Sequence, residues 1–307
     1  MNADNTLTPP TIDAKCEIDV DGKTIDCAGL KFSFNVKKSV IYSTDSFSVK
    51  IFNLLPEDAH LLNKSRLNAY NDNTPAYVRL AVKSSFSSAY TPILKRRVFE
   101  GNTDMIDNGT TAEISLSGQS GSPFMNAMSN VTMQNRSIKD VVAEIADNMG
   151  MESQTITSNN PLDAINQVLN EKKDFFINGQ NNHILKSIQS DLHKYGVDVY
   201  FEDEKIIMKP RSVTKGIYQL TDEHFSKAPS IRSDRIEVEL NNIYPDIGVG
   251  NKVEILSEIR PDISRSGSNY YQVVDLEHTG SIDPTSKNDS FTKLSLYNGQ
   301  FLRNVRS

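Results

Sequence analysis

The sequence predicts an α+β fold that is mainly β, with a small α+β region between two antiparallel β regions. Apolar and polar residues alternate through the first 120 residues, apolar residues recur at helical spacing from about 125 to 210, and alternation returns after Pro210. With 307 residues, the chain is long enough to bury two or three cores without disulfides or structural metals.

The first predicted element is a β-hairpin across Cys16 to Cys27. Its turn is Asp21-Gly22, a dipeptide favoured in two-residue type I′ turns, so the strands pair outward from that turn. Cys16 then faces Cys27 in a hydrogen-bonded pair, whose Cα separation of about 5.5 Å admits a disulfide but is not its commonest setting. A reducing cytoplasm favours two free core thiols, and a bridge is the alternative.

One face of this hairpin is acidic. Glu17, Asp19 and Asp26 point away from the apolar residues with which they alternate. This face is predicted to contact water or a basic partner.

More strands and one helix complete the first β region. Alternating apolar residues predict strands at residues 30–36, 47–51, 77–82, 93–100 and 112–117. Between the second and third of these, Pro56 suits a first helical turn, and the acidic Glu57 and Asp58 suit the positive end of a helix.

Helical spacing replaces alternation in the α+β region. Ser137 caps a predicted helix that Gly150 ends, Pro161 to Asn170 predicts a short second helix, and a stripe from Ile184 to Tyr195 predicts a third. A β-hairpin follows at residues 197–208, and after it the second β region contains predicted strands at 236–240, 252–259, 270–277 and 291–297. We therefore divide the chain into a flexible arm (1–13), a first β region (14–122), an α+β region (123–211) and a second β region (212–307).

Charge and composition exclude several functions. The 33 basic and 39 acidic residues give a net charge of -6, which disfavours double-stranded nucleic acid as the primary ligand. The opening MNADNTLTPPT has neither a basic start nor an apolar run, so we expect no signal peptide and no membrane insertion, and synthesis and retention in the cytoplasm.

No catalytic or metal-binding motif stands out. The five histidines are scattered, and the sequence GQSGS at 118–122 matches a nucleophile elbow only in its first part. The sequence therefore predicts no enzyme activity, no catalytic residue, no metal and no cofactor.

Two features are candidates for contacts with partners. Lys95, Arg96 and Arg97 interrupt an otherwise apolar strand, which suits either a charge-protected edge strand or a seam that binds the acidic hairpin face of another copy. Under the seam interpretation, reversing all three charges abolishes assembly and leaves the monomer folded. Phe86 and Tyr90 lie in a serine-rich connection that suits either a contact arm or a mobile hairpin tip.

Several segments resemble a known protein family. They are GLKFSFNVKK at 29–38, FSVKIFNL at 47–54, VFEGN at 98–102, YPDIGVGNKV at 244–253 and YYQVVDLEHTG at 270–280. Together these segments are similar to baseplate hub proteins of contractile bacteriophage tails, over roughly residues 14 to 298.

The resemblance implies that both β regions are tube-like barrels or sandwiches. It further implies a homotrimer whose six β regions form a pseudo-sixfold ring between the hexameric tail tube and the trimeric central spike, with baseplate wedge or tape-measure proteins as further partners. DNA would only pass through the lumen, and the protein would reside in the virion tail baseplate after assembly in the host cytoplasm. A tail-associated cell-wall hydrolase and a carbohydrate- or receptor-binding module are the alternatives.

Overall fold

The computed structural model describes most of the chain. The described residues are 12–40, 45–62, 76–83, 89–98, 100–102, 113–119, 127–157, 164–211, 213, 216–232, 235–264, 270–285 and 289–297. The predicted arm therefore lies outside them except for its last two residues, of which Asp13 already begins the first strand.

The described elements make the chain mainly β with several helices, which confirms the predicted fold class. The strands are β1 Asp13–Val20, β2 Lys23–Asp26, β3 Phe32–Ser39, β4 Ser46–Phe52, β5 Tyr77–Lys83, β6 Thr91–Arg97, β7 Glu100–Asn102, β8 Glu113–Gln119, β9 Met128–Arg136, β10 Glu152–Thr155, β11 Lys173–Gln180, β12 Val197–Glu202, β13 Lys205–Pro210, β14 Ile217–Thr221, β15 Phe225–Arg232, β16 Arg235–Leu240, β17 Lys252–Leu256, β18 Tyr271–Ile282 and β19 Asp289–Tyr297. The helices are α1 (56–62), α2 Ile138–Asn148, α3 Ala164–Asn170 and α4 Asn181–His193, with a 3-10 turn at Asp222–His224.

The predicted hairpin forms with the predicted register. Asp21 and Gly22 have φ angles of 52° and 74°, as a type I′ turn requires. The backbone N–H of Cys27 donates to the carbonyl of Cys16 at 3.0 Å. Both cysteines are buried free thiols, as the prediction for a reducing cytoplasm favoured.

Two sheets enclose the core of the first β region. One sheet has the order β2-β1-β5-β6, and the strands β3-β4-β8-β7 form the opposite layer. Buried residues of both layers, among them Ile18, Leu80, Phe34 and Val49, pack in one hydrophobic cluster. The first β region is therefore a sandwich with α1 beside it.

The predicted single strand at 93–100 is wrong. Strand β6 ends at Arg97 and pairs with β5, whereas β7 begins at Glu100 and pairs with β8 in the other layer. The backbone N–H of Val98 still donates to Ala76 at 2.8 Å, after which the chain crosses between the layers. No glycine, proline or other turn residue separates the two strands in the sequence, so it gave no sign of the crossing.

In the α+β region, α2 follows the prediction closely. Ser137 and Asp140 form a reciprocal capping box at its start, and Gly150 has a φ of 64° after its end. Helix α4 ends at His193, so placing Tyr195 in its buried stripe was wrong, because that side chain is 55% exposed.

The second β region contributes the antiparallel run β15-β16-β19-β18; β17 pairs with β18, and β14 pairs in parallel with β17. Its core includes Val238, Leu276 and Leu296 together with Tyr200 and Ile207 from the α+β region. Strands β12 and β13 thus contribute to the second core, whereas most buried residues of the α+β region form a core of their own.

Strands β3 and β18 join the two β regions into one sheet. Their antiparallel register pairs Val36 with His278 and Phe34 with Gly280. The resulting sheet runs β15-β16-β19-β18-β3-β4-β8-β7.

Candidate assembly interface

The strand order of the shared sheet is a head-to-tail repeat. Each half contains an early hairpin (β15–β16 or β3–β4) and a late hairpin (β18–β19 or β7–β8). The strands follow the same order across the sheet in both halves, which is β15-β16-β19-β18 in one half and β3-β4-β8-β7 in the other. The outer strands β15 and β7 are therefore the counterparts of β3 and β18, which pair at the inner joint.

Part of the core-facing side of β15 is not covered by the rest of the chain. Ile231 lies opposite the buried Ile236, and cross-strand partners share a face, so Ile231 is on the core side of the sheet. Its side chain is nevertheless 52% exposed. In the corresponding strand β3, Phe34 is only 3% exposed, because the joint with β18 covers that strand.

The inner joint shows how tightly such a pair can close. On one face, the Asn35 amide donates to Glu277 Oε1 at 2.6 Å and to Thr279 Oγ1 at 2.9 Å. On the other face, the Phe34 ring lies directly on Gly280, where an added Cβ would come within 2.5 Å of it. Glycine is thus required here by close approach.

A buried histidine lies at the same joint. His278 is 2% exposed and shares a hydrogen bond of 2.9 Å with Thr292 Oγ1. Burial lowers the pKa of His278 to about 3, with a smaller contribution from the charge of Lys38. The imidazole is therefore neutral at physiological pH. His278, which is part of the YYQVVDLEHTG segment at 270–280, is thus a core residue.

The face of the shared sheet away from the cores is polar, and several of its cations are paired. Lys50 lies 2.8 Å from Glu113, Lys37 lies 3.5 Å from Glu277, and Lys227 lies 2.6 Å from Glu239. Uncharged polar residues lie between them; they are Ser33, Asn35, Ser48, Ser115, Thr279, Ser281 and Ser295. A concavity of about 590 Å³ opens on this face.

The three adjacent cations do not share one environment. Lys95 is exposed and Arg97 is half-buried, but Arg96 is 1% exposed and pairs with Asp45, itself 1% exposed. Burial raises the pKa of Asp45 to about 6, while the charges of Arg96 and Lys38 and a hydrogen bond from the Ser39 backbone oppose the rise. Arg96 is therefore a core residue of this chain.

This burial corrects one sequence-based expectation. A triple reversal to glutamate would place a carboxylate beside Asp45 in the interior, so it would not leave the monomer folded. Of the three residues, Lys95 and Arg97 remain as candidates for an outside partner.

The outer edge of β6 is closed within the chain. The backbone N–H of Lys95 donates to Asp203 Oδ1 at 3.2 Å, and that of Arg97 donates to Glu204 Oε1 at 3.0 Å. Asp203 and Glu204 form the turn between β12 and β13, with φ angles of 42° and 51°. Since this turn occupies the exposed donors of the edge, β6 is protected against pairing with another strand.

The acidic hairpin face is partly neutralised by its own neighbour. Arg79 on β5 lies 3.2 Å from Glu17 and 2.7 Å from Asp19. Asp26 accepts a hydrogen bond of 2.9 Å from the backbone of Ala28. These carboxylates thus already have partners inside the chain.

The aromatic connection is described only in part. Phe86 lies outside the described residues. The Tyr90 hydroxyl donates to Asp13, and Lys15 Nζ lies 4.5 Å from the ring centroid. Tyr90 is therefore half-buried against β1.

The described residues contain no group of three or more histidine, cysteine, aspartate or glutamate side chains that could hold a metal ion. Their helices include none long and apolar enough to cross a membrane.

Comparison with known proteins identifies the fold. No family model matches the sequence, and no curated protein matches it either. Among solved structures, the 43 kDa tail protein of prophage MuSo2 from Shewanella oneidensis matches with a TM-score of 0.59, 12% identity and coverage of 93% of this chain and 97% of that one. A tail protein from Neisseria meningitidis MC58 matches with a TM-score of 0.56, 10% identity and coverage of 93% and 96%.

A third match is a chain of the half-lidded PdpA-VgrG complex from Francisella, with a TM-score of 0.53, 10% identity and coverage of 94% of this chain and 58% of that one. The resemblance predicted from the sequence is thereby confirmed at the level of fold. This chain has the fold of bacteriophage tail proteins.

Proposed function

We propose that this protein is the structural, non-enzymatic baseplate hub of a contractile phage tail. Three copies form a ring of six similar β regions, which joins the hexameric tail tube to the trimeric central spike. The observation that carries the proposal is the head-to-tail repeat of the shared sheet, whose inner joint pairs β18 with β3 and whose outer strands are their counterparts.

The proposed contact between subunits repeats the inner joint. Strand β7 of one copy pairs with β15 of the next, as β18 pairs with β3 within the chain. Such a head-to-tail interface closes into a ring when its rotation fits a whole number of copies. Three copies would give six quasi-equivalent halves, which matches a sixfold tube on one side and a threefold spike on the other.

The proposed ring has the polar face of the shared sheet toward its lumen. The concavity lies on this face, and the salt bridges described above neutralise several of its lysines. A lumen with paired charges and small polar side chains holds few free cations for phosphate contacts, so DNA could pass without adhering.

The tail proteins with this fold support a place in the virion, and the PdpA-VgrG complex supports a spike-like partner. Wedge and tape-measure proteins are further proposed partners. Lys95 and Arg97 stay candidates for such contacts, together with Tyr90, Phe86 and the acidic residues Glu17, Asp19 and Asp26. No observation on the residues that the structure describes favours a hydrolase or a carbohydrate-binding module.

The Ile231→Glu variant tests the β15 edge. We expect this change to abolish self-association, because it places a charge where the neighbouring copy would cover an apolar side chain. The thermal midpoint of the monomer should hardly change, since Ile231 is 52% exposed. Sedimentation velocity over a concentration series would measure the loss.

Phe176→Glu is the matched control, because Phe176 is 73% exposed and lies on β11, away from the shared sheet. This control should associate like the unmodified chain. Unchanged association of the Ile231→Glu variant would exclude the β15 edge as the subunit contact.

A further inference from the structure

Two opposed thiols in the β1–β2 hairpin have no role in the proposed ring. Cys16 and Cys27 are the only cysteines in the sequence. They are 1% and 0% exposed, their side chains hydrogen-bond to each other, and a backbone hydrogen bond of 3.0 Å joins the two residues.

The backbone pairing of this site is compatible with a disulfide. Residues in a hydrogen-bonded antiparallel pair have Cα atoms about 5.5 Å apart, inside the range of about 4.4–6.8 Å that disulfides span. Both side chains point into the same core cluster. A bond between them therefore requires a change in side-chain torsions rather than a movement of the strands.

We propose that Cys16 and Cys27 are a latent disulfide site, which a low-molecular-weight disulfide such as oxidised glutathione closes under oxidising conditions. One cysteine thiolate attacks the glutathione disulfide, forming a mixed disulfide and releasing one glutathione thiolate. The second cysteine thiolate then displaces the other glutathione. Two protein thiols are oxidised, one glutathione disulfide is reduced, and the two protons pass to the released glutathione.

The surroundings predict that this reaction is slow in the closed hairpin. The hydrogen bond with Cys27 and burial raise the pKa of Cys16, and the charges of Glu17 and Asp26 raise it further, so little thiolate is present at neutral pH. Strand β2 has only four residues and pairs with β1 alone among the described strands. Opening of this short edge strand gives the oxidant access, so mild denaturant and alkaline pH should both accelerate oxidation.

The bond would fasten the open edge of the sheet β2-β1-β5-β6. Closing a loop of about a dozen residues restricts the unfolded chain, and we expect the thermal midpoint to rise by about 5 °C. Release of a particle from the host cytoplasm would supply oxidising conditions. Oxidation upon particle release rests on the proposed function, whereas formation of the bond itself does not depend on it.

The experiment uses the purified full-length chain with both thiols reduced. The protein is incubated at pH 8 with oxidised glutathione, with and without a urea concentration below the unfolding transition, and is then denatured and alkylated. The expected product is a monomer that has lost two hydrogen atoms by intact mass, has no alkylated cysteine and melts at a higher temperature until a reductant is added.

The variants Cys16→Ser and Cys27→Ser are matched controls, because each leaves one thiol and should yield only a glutathione adduct. Two alkylated cysteines after incubation in urea would overturn the proposal, as would a product consisting of mixed disulfides or cross-linked dimers. Because the readout is a bond within one chain, its failure is distinct from a failure of ring assembly.

Discussion

Replacement of Arg96 with alanine is expected to destabilise the protein by about 3–5 kcal/mol. The change leaves Asp45, which is 1% exposed, without its buried cationic partner, and removing one member of a buried pair costs far more than the pair itself contributes. It also removes the packing of a large buried side chain between β4 and the β12–β13 turn. Urea unfolding of the variant and the unmodified chain measures the difference.

Two comparisons isolate the cause of this loss. Arg79→Ala removes an arginine whose side chain is 40% exposed and pairs with Glu17 and Asp19, so we expect a loss of at most about 1 kcal/mol. The double variant Asp45→Asn with Arg96→Met removes both charges and should recover much of the stability. Equal losses for Arg96→Ala and Arg79→Ala would contradict the burial of the Asp45–Arg96 pair.

Acidification is expected to weaken the protein through His278. Its pKa is about 3 when folded and about 6.5 when unfolded. Between these values the unfolded chain binds a proton that the folded chain does not, so stability falls as pH falls. From pH 6.5 to 4.5 the expected loss from this residue is about 2–3 kcal/mol, and it grows until the pH nears 3.

In the variant His278→Asn, the free energy of unfolding should fall less steeply as the pH decreases. Subtracting its free energies of unfolding from those of the unmodified chain, pH by pH, removes the contributions of other titrating groups, including Asp45. The control is His60→Asn, which replaces an exposed histidine on α1. If the free energies of unfolding of His278→Asn and the unmodified chain fell equally steeply with decreasing pH, His278 would not be held neutral at the joint.

Local signals in the sequence predicted local structure well. Asp21-Gly22 determined the register of the first hairpin, and Ser137 with Gly150 marked the ends of α2. In each case the responsible residues lie next to the element that they shape. The predicted hairpin in the α+β region also forms, around a turn at Asp203 and Glu204.

Strands with mostly exposed side chains showed no apolar alternation from which they could be predicted. Strands β9, β10, β11, β14 and β15 were not predicted. In β10 and β15 most side chains are exposed on both faces, so burial imposes no alternation on them. Residues of this kind suit strands whose covering partner comes from elsewhere in the chain or from another molecule.

Contacts between segments far apart in the chain could not be predicted from the sequence either. The sequence predicts a surface cation at Arg96, because its partner Asp45 lies 51 residues earlier in the chain. The joint of the shared sheet pairs Asn35 with Glu277, 242 residues apart. Neither partner could be identified from spacing, and the candidate interface depends on that joint.

The absolute mass of the purified chain in solution tests the central claim most directly. Light scattering over a concentration series, at moderate salt, measures it without a shape assumption. One chain has a mass of 34.3 kDa, so a closed ring of three copies has a mass of about 103 kDa. The proposed hub predicts that value at high concentration, and a mass of one or two chains throughout the series would contradict it.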